Sequence, residues 1–231
     1  MADREILRPP SQLDFPGITS AGFRYLQQLA QAVNLIRGGT THGTPTDYLE
    51  VEKDGTLRFY GAATTWKDID LDLIALAQGA ASPGIGTVGG GTINYLLFDG
   101  LATAEEVSGS VELQHDIVMD VIKPHIHWFP TTAAAGNVKW NLAYTITNVG
   151  TLEPAETVLS TTTATPGAIQ STISAFSDID VSAFTHGAQF CFRLYRDPSD
   201  VADTYGADVA TKTLGLHVEI QSLGTRTTIV D

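Results

Sequence analysis

The chain has 231 residues, with 13 Lys and Arg against 26 Asp and Glu, a net charge of -13. A length of this order buries a full core in one large β domain or two small ones, and the acidic balance argues against a partner whose phosphates need neutralising. Charged residues make up only 17% of the chain, below the roughly 25% usual for soluble domains, and 22 glycines accompany them, a composition suited to sheets and turns. No run reaches the length of apolar residues that a membrane span needs, so neither nucleic acid nor membrane is an expected partner. The single cysteine, Cys191, allows no intrachain disulfide. The opening MADREILRPP carries no apolar signal stretch, so synthesis in a reducing cytoplasm is expected.

Residues 1–18 contain Pro9, Pro10 and Pro16 among mixed charges and no periodic pattern, which predicts an extended arm that orders when something receives it. Pro9, Pro10, Phe15 and Pro16 are its candidate attachment residues. A helix is predicted over 21–37, capped by Thr19 or Ser20 and ended by Gly38-Gly39. Leu26, Leu29, Val33 and Ile36 recur at spacings of a coiled-coil seam and Phe23 widens the stripe, so these five are candidate oligomerisation residues, with packing on the chain's own sheet as the alternative use of the same face.

Tyr48–Val51 and Leu57–Tyr60 flank Lys53-Asp54-Gly55, a hairpin signal. Asp68-Ile69-Asp70-Leu71-Asp72-Leu73 alternates strictly, which predicts a short strand with aspartates toward water or a partner and aliphatics inward. From residue 94 apolar runs recur between turn residues: 94–98, 107–113, 121–129, 138–147, 156–163, 189–196 and 214–222. Their spacing predicts a mainly β fold, an antiparallel β-sandwich of jelly-roll type. Trp140, Leu142, Tyr144 and Ile146 share one face of their strand, as do Phe190, Phe192 and Leu194, and these are the expected core faces. The organisation is therefore an arm and helix over 1–40, a small hairpin region with a Gly-rich loop over 41–92, and the sandwich over 93–231.

Chemical motifs are few. Gly84, Gly86 and Gly89 satisfy G-x-G-x-x-G, but a β-like NYLLF follows where a helix would have to receive the pyrophosphate, so residues 79–91 are expected to be a flexible loop. His125 and His127 lie two apart on one strand face, a chelating spacing. The glutamate that follows the H-x-H of cupin enzymes is missing, and His217 with Glu219 forms a second same-face pair. Structural or interface histidines are expected here, with no metal or other cofactor; His125, His127, His217 and Glu219 are the minor candidates for metal ligation. Asp197, Asp200, Asp203 and Asp208 crowd one loop without the EF-hand spacing and are expected to be solvated. No G-x-S-x-G turn occurs, and Cys191 alternates within a hydrophobic strand, where a buried inert thiol is expected. No enzymatic activity is expected.

Tyr60-Gly61-Ala62-Ala63-Thr64-Thr65-Trp66-Lys67-Asp68, Leu97-Phe98-Asp99-Gly100 with Glu105-Glu106, Lys123-Pro124-His125-Ile126-His127-Trp128 and Val138-Lys139-Trp140-Asn141-Leu142-Ala143-Tyr144 together resemble a family of virion structural proteins of tailed bacteriophages, over about half of the chain and outside its first 40 residues. The resemblance implies a non-enzymatic β-sandwich mounted on the particle as a head decoration, head fibre or tail accessory, with other virion proteins as partners and the virion as its location. Cyclic closure of the helix stripe makes a homotrimer the expected assembly. The competing readings are a carbohydrate-binding module, which would expose Trp66 or Trp128 on a shallow surface, and a metal-dependent jelly-roll enzyme, which would need a third ligand beside His125 and His127.

Overall fold

The computed structural model describes residue 24 and residues 26–28, 47–51, 56–101 and 104–223. It divides into two compact units, Met1–Thr65 with Ile220–Ile229, and Trp66–Glu219 with Val230–Asp231. Strands that precede residue 93, within 65–87, belong to the sheets of the second unit.

In the first unit, Arg24 and residues 26–28 are helical, with Leu26 half-buried. The other stripe residues, Phe23, Leu29, Val33 and Ile36, and the arm residues Pro9, Pro10, Phe15 and Pro16 lie outside the described residues. The expected hairpin is present: β1 (Tyr48–Val51) pairs antiparallel with β2 (Leu57–Tyr60). Its open end is closed by Tyr48 stacked on Tyr60, ring centroids 4.5 Å apart, a cross-strand aromatic pair. Residues 221–223 run along β2, where Phe59 N–H donates to the Gln221 carbonyl and Leu223 N–H to that of Leu57.

The second unit is a sandwich of two sheets. The remaining strands are β3 (Thr65–Asp72), β4 (Ala77–Gln78), β5 (Gly84–Thr87), β6 (Asn94–Phe98), β7 (Glu105–Glu112), β8 (Ile117–Pro130) and β9 (Asn137–Thr147). They continue as β10 (Thr157–Ala164), β11 (Thr172–Ala175), β12 (Ile179–Asp180), β13 (Gln189–Arg196) and β14 (Val209–Ile220). One sheet has the order β10-β9-β13-β7-β4; the other has β11-β8-β14-β6-β5, with β12 also on β8 and β3 on β14. The seven runs read from residue 94 onward all form strands, and all but β10, an edge strand of mostly Ser and Thr, bury apolar side chains toward the layer opposite. Trp140, Leu142 and Ile146 of β9 and Phe190, Phe192 and Leu194 of β13 are buried against Phe98, Ile126, Trp128, Leu214 and Leu216 of the other sheet's strands. Phe98 meets Trp140 edge to face at 5.1 Å between centroids, joining the layers. Each such side chain contributes about 1.5–3 kcal/mol on burial.

Two expectations need correction. Residues 79–91 are not a loop throughout: Gly84 and Gly86 lie in β5, paired with Leu97 and Tyr95 of β6. A Cβ on Gly86 would sit 2.4 Å from Leu97 Cδ1, so this glycine admits a packed leucine and cradles no phosphate. The acidic loop is only partly solvated. Asp203 is buried and grips Arg196, itself fully buried, through Arg Nε to Asp Oδ2 and Arg Nη2 to Asp Oδ1, both 2.8 Å. The same guanidinium donates to the carbonyls of Ala207, at 2.8 Å, and Tyr205. Asp200 instead pairs with Lys139, and Asp197 accepts from Ser199 N–H and Oγ–H. Three of the four carboxylates are thus engaged within the protein, Asp203 as the anchor that folds the loop over the sandwich end.

Candidate functional site

The histidines at 125, 127 and 217 and the aspartates of β3 lie on the outer face of the seven-stranded sheet, which contains β3, β14 and β8. In β3 the expected alternation is observed: Trp66, Asp68, Asp70 and Asp72 are exposed, while Lys67, Ile69 and Leu71 are half-buried. In β8, Pro124, Ile126 and Trp128 point into the core, and Lys123, His125, His127 and Phe129 occupy the other face. In β14 the pattern carries a slip. Val209 and Thr211 are buried beside their partners Phe98 and Leu96, yet further along it is Leu214, Leu216 and Val218 that are buried. A one-residue shift of phase exchanges the two faces of a strand. Without it His217 would point into the sandwich; with it, His217 stands on the outer face.

His125 is only 9% exposed although it faces outward, because its ring lies over Gly215 of β14. A Cβ on Gly215 would come within 2.4 Å of His125 Cε1 and 2.5 Å of Nε2, so only glycine leaves room for the imidazole. The ring then packs against His217 at 4.5 Å and His127 at 5.1 Å between centroids. Asp68 reaches the group from β3, its Oδ1 2.5 Å from His217 Nε2. One ligand-type atom from each of Asp68, His125 and His217 lies within 4.8 Å of the other two. The structure therefore unites His125 with His217, as the sequence allowed, and adds Asp68, which the sequence placed only at a water or partner face. Glu219 is half-buried at the end of the same strand and stands outside that trio.

Partial burial and the adjacent His125 hold the His127 imidazole below its ordinary pKa, opposed by the Asp70 carboxylate. A lowered histidine pKa means that the unfolded chain binds the proton more readily than the native one, so this stabilising contribution is complete above about 6.5 and is lost as pH falls through the native value. The thermal midpoint is expected to decline as pH drops below that point, and His127→Gln should remove part of the decline. A midpoint-versus-pH profile identical in the two proteins would contradict the assignment.

Trp66 is 49% exposed and Lys123 Nζ lies 5.0 Å from its ring centroid, a cation–π contact beside the cluster. Trp128, the other aromatic considered for a surface, is instead fully buried, its Nε1 donating to Ser174 Oγ at 2.9 Å. Cys191 is half-buried on the outward side of β13 rather than buried, and burial by its surroundings, with Glu153 nearby, pushes the thiol pKa up, which keeps it protonated and unreactive.

No protein-family model matches the sequence, and no curated protein does. Among solved structures the chain is similar to the carbohydrate-binding module CBM36 in complex with calcium and xylotriose, at 14% identity over 64% of this chain and 98% of that one, TM-score 0.39. It is also similar to the CBM36-1 domain of a multidomain xylanase from the hindgut metagenome of Trinervitermes trinervoides, at 9% identity over 65% and 96%, TM-score 0.37. A third is the infectious bursal disease virus Gx strain, at 10% identity over 68% of this chain and 33% of that chain, TM-score 0.35. Identities this low carry no residue across, so the site is read from its own geometry. The protein is a β-sandwich of jelly-roll type that carries an aspartate–histidine cluster on the outside of its larger sheet.

Proposed function

We propose that the chain is a non-enzymatic structural module of a tailed-bacteriophage virion, fixed to the particle by its N-terminal segment and projecting the sandwich as a head decoration, head fibre or tail accessory. The observation that carries this reading is the separation of tasks along the chain. Among the described residues, both sheets of the sandwich are completed by strands between 65 and 220, and the described residues before 65 supply no strand to that core, which leaves the N-terminal segment available for attachment in this reading. The sheet edge at β10 adds support for assembly with copies of the same chain. Its eight residues, TVLSTTTA, hold no charge and no proline, and such an edge is a template for another strand unless it is covered. A homotrimer is the assembly proposed, with the helix stripe and this edge as its contacts.

Deleting residues 1–18 tests the attachment. The truncated chain is expected to keep its melting temperature and lose co-sedimentation with particles; binding at full strength, or a collapse in melting temperature, would refute it. Light scattering of the intact chain at micromolar concentration checks the trimer, and a monomer there would remove that part of the reading. The exposure of Trp66 favours a second reading, a carbohydrate-binding surface on the same outer face, where an indole stacks on a sugar ring beside hydrogen-bonding carboxylates. A glycan screen with the wild type and Trp66→Ala separates the two: binding that the substitution abolishes supports the sugar surface, and no binding by the wild type eliminates it.

A further inference from the structure

We propose that Asp68, His125 and His217 bind a divalent transition-metal ion, zinc(II) by preference, which ties β3, β8 and β14 together across the outer sheet face. The proposal does not rest on the virion reading. Two imidazoles and one carboxylate are the donors that zinc takes, whereas calcium and magnesium seek shells of oxygen. Bonds of about 2.0–2.2 Å to a tetrahedral ion place the donor atoms about 3.4 Å apart, and the three ligand-type atoms here already lie within 4.8 Å of one another. Side-chain rotations suffice to close the difference, since Asp68 and His217 both sit at the solvent face.

The setting of His125 is compatible with ligation. The His125 ring, nine-tenths buried, touches the rings of His127 and His217 and has no hydrogen bond among the described residues. Its ring nitrogens still reach solvent, since the buried unpartnered side-chain atoms among the described residues are those of Asp116 and Trp140, so an ion has access to them, and Gly215 leaves room for the ring. The Asp68–His217 contact shows what the ion replaces. In the bound state Asp68 Oδ1 and His217 Nε2 would each turn a lone pair to the cation in place of their contact with one another. Three protein ligands leave one position for water. The sequence reading set a metal aside because no third ligand followed His127; Asp68, from a strand far away in sequence, supplies it beside His125 and His217.

The test uses the full chain, stripped with EDTA, freed of the chelator and titrated with zinc chloride by calorimetry and by thermal melting. One zinc per chain is expected, with a higher melting temperature, and calcium chloride should leave the melting temperature unchanged. Asp68→Asn and His217→Gln, both at accessible positions, should each weaken zinc binding about tenfold or more, whereas His115→Gln, in a separate histidine pair with His186, should leave it unaltered. Absence of saturable zinc binding by the wild type would overturn the proposal, as would affinities unchanged in the Asp68 and His217 variants. Should either variant fail to melt cooperatively, cobalt(II) added to the wild type decides: visible d–d bands of tetrahedral coordination are expected, and their absence would refute the site.

Discussion

Asp203→Ala is expected to lower the unfolding free energy by about 3–5 kcal/mol, the range for breaking a buried ion pair by removing one partner. The size follows from Arg196, whose side chain is wholly inside. With Asp203 present its charge is met by two parallel hydrogen bonds and the Ala207 and Tyr205 carbonyls. Asp203 also accepts from the backbone N–H of Lys139 at 3.1 Å. Removing the carboxylate leaves the buried guanidinium with carbonyl dipoles and the Glu105 carboxylate, with which it has no direct hydrogen bond, and releases the start of β9. Urea denaturation should therefore show a lower midpoint with an unchanged slope. Replacing Arg196 with Met and Asp203 with Leu together should cost less than Asp203→Ala alone, because no unpaired charge is left behind. The exposed pair Lys123–Asp178, at 3.6 Å, is expected to contribute only about 0–1 kcal/mol. A loss below about 1 kcal/mol for Asp203→Ala would show that water reaches Arg196 and that the loop is no anchor.

Trp140→Ala should cost a similar amount, about 3–5 kcal/mol, the range for truncating a large aromatic in a close-packed core. Trp140 is fully buried, pairs in register with Arg196 of β13 and meets Phe98 from the facing sheet, so the cavity would open between the two layers next to the ion pair. Its Nε1 is buried and has no hydrogen-bond partner. Deleting the indole therefore also deletes an unmet donor, which offsets part of the loss. Trp140→Phe, which keeps most of the ring volume and drops that donor, is expected to cost well under half as much. Equilibrium denaturation of both variants checks the order, and equal losses would mean that the nitrogen is satisfied by water.

The strands of the sandwich were legible because alternation is a local signal. The run at 94–98 and the run at 189–196 coincide with β6 and β13, and of the core faces named, Trp140, Leu142, Ile146, Phe190, Phe192 and Leu194 are buried while Tyr144 is only half-buried. The β1–β2 hairpin and the outward aspartates of β3 were equally readable. Short pieces such as β5, β11 and β12 were missed: two to four residues carry too little period, and Gly84 and Gly86 in β5 read as loop until a paired leucine explains them. Asp203 looked like a solvated acid because nothing near it in sequence announces that Arg196 turns inward.

Sequence by itself determined the mainly β architecture, the absence of a recognisable catalytic motif and the same-face histidines at 125 and 127, since each depends on residue type and on a period of two within one strand. Tertiary structure alone decided that β3 lies on β14 and β14 beside β8, that a slip in β14 turns His217 outward, and that Gly215 leaves a bed for His125. Those decisions bring Asp68, His125 and His217 into one cluster. The reason is that strand pairing and register are set by how whole faces pack against the opposite layer, and no local stretch of sequence contains that information.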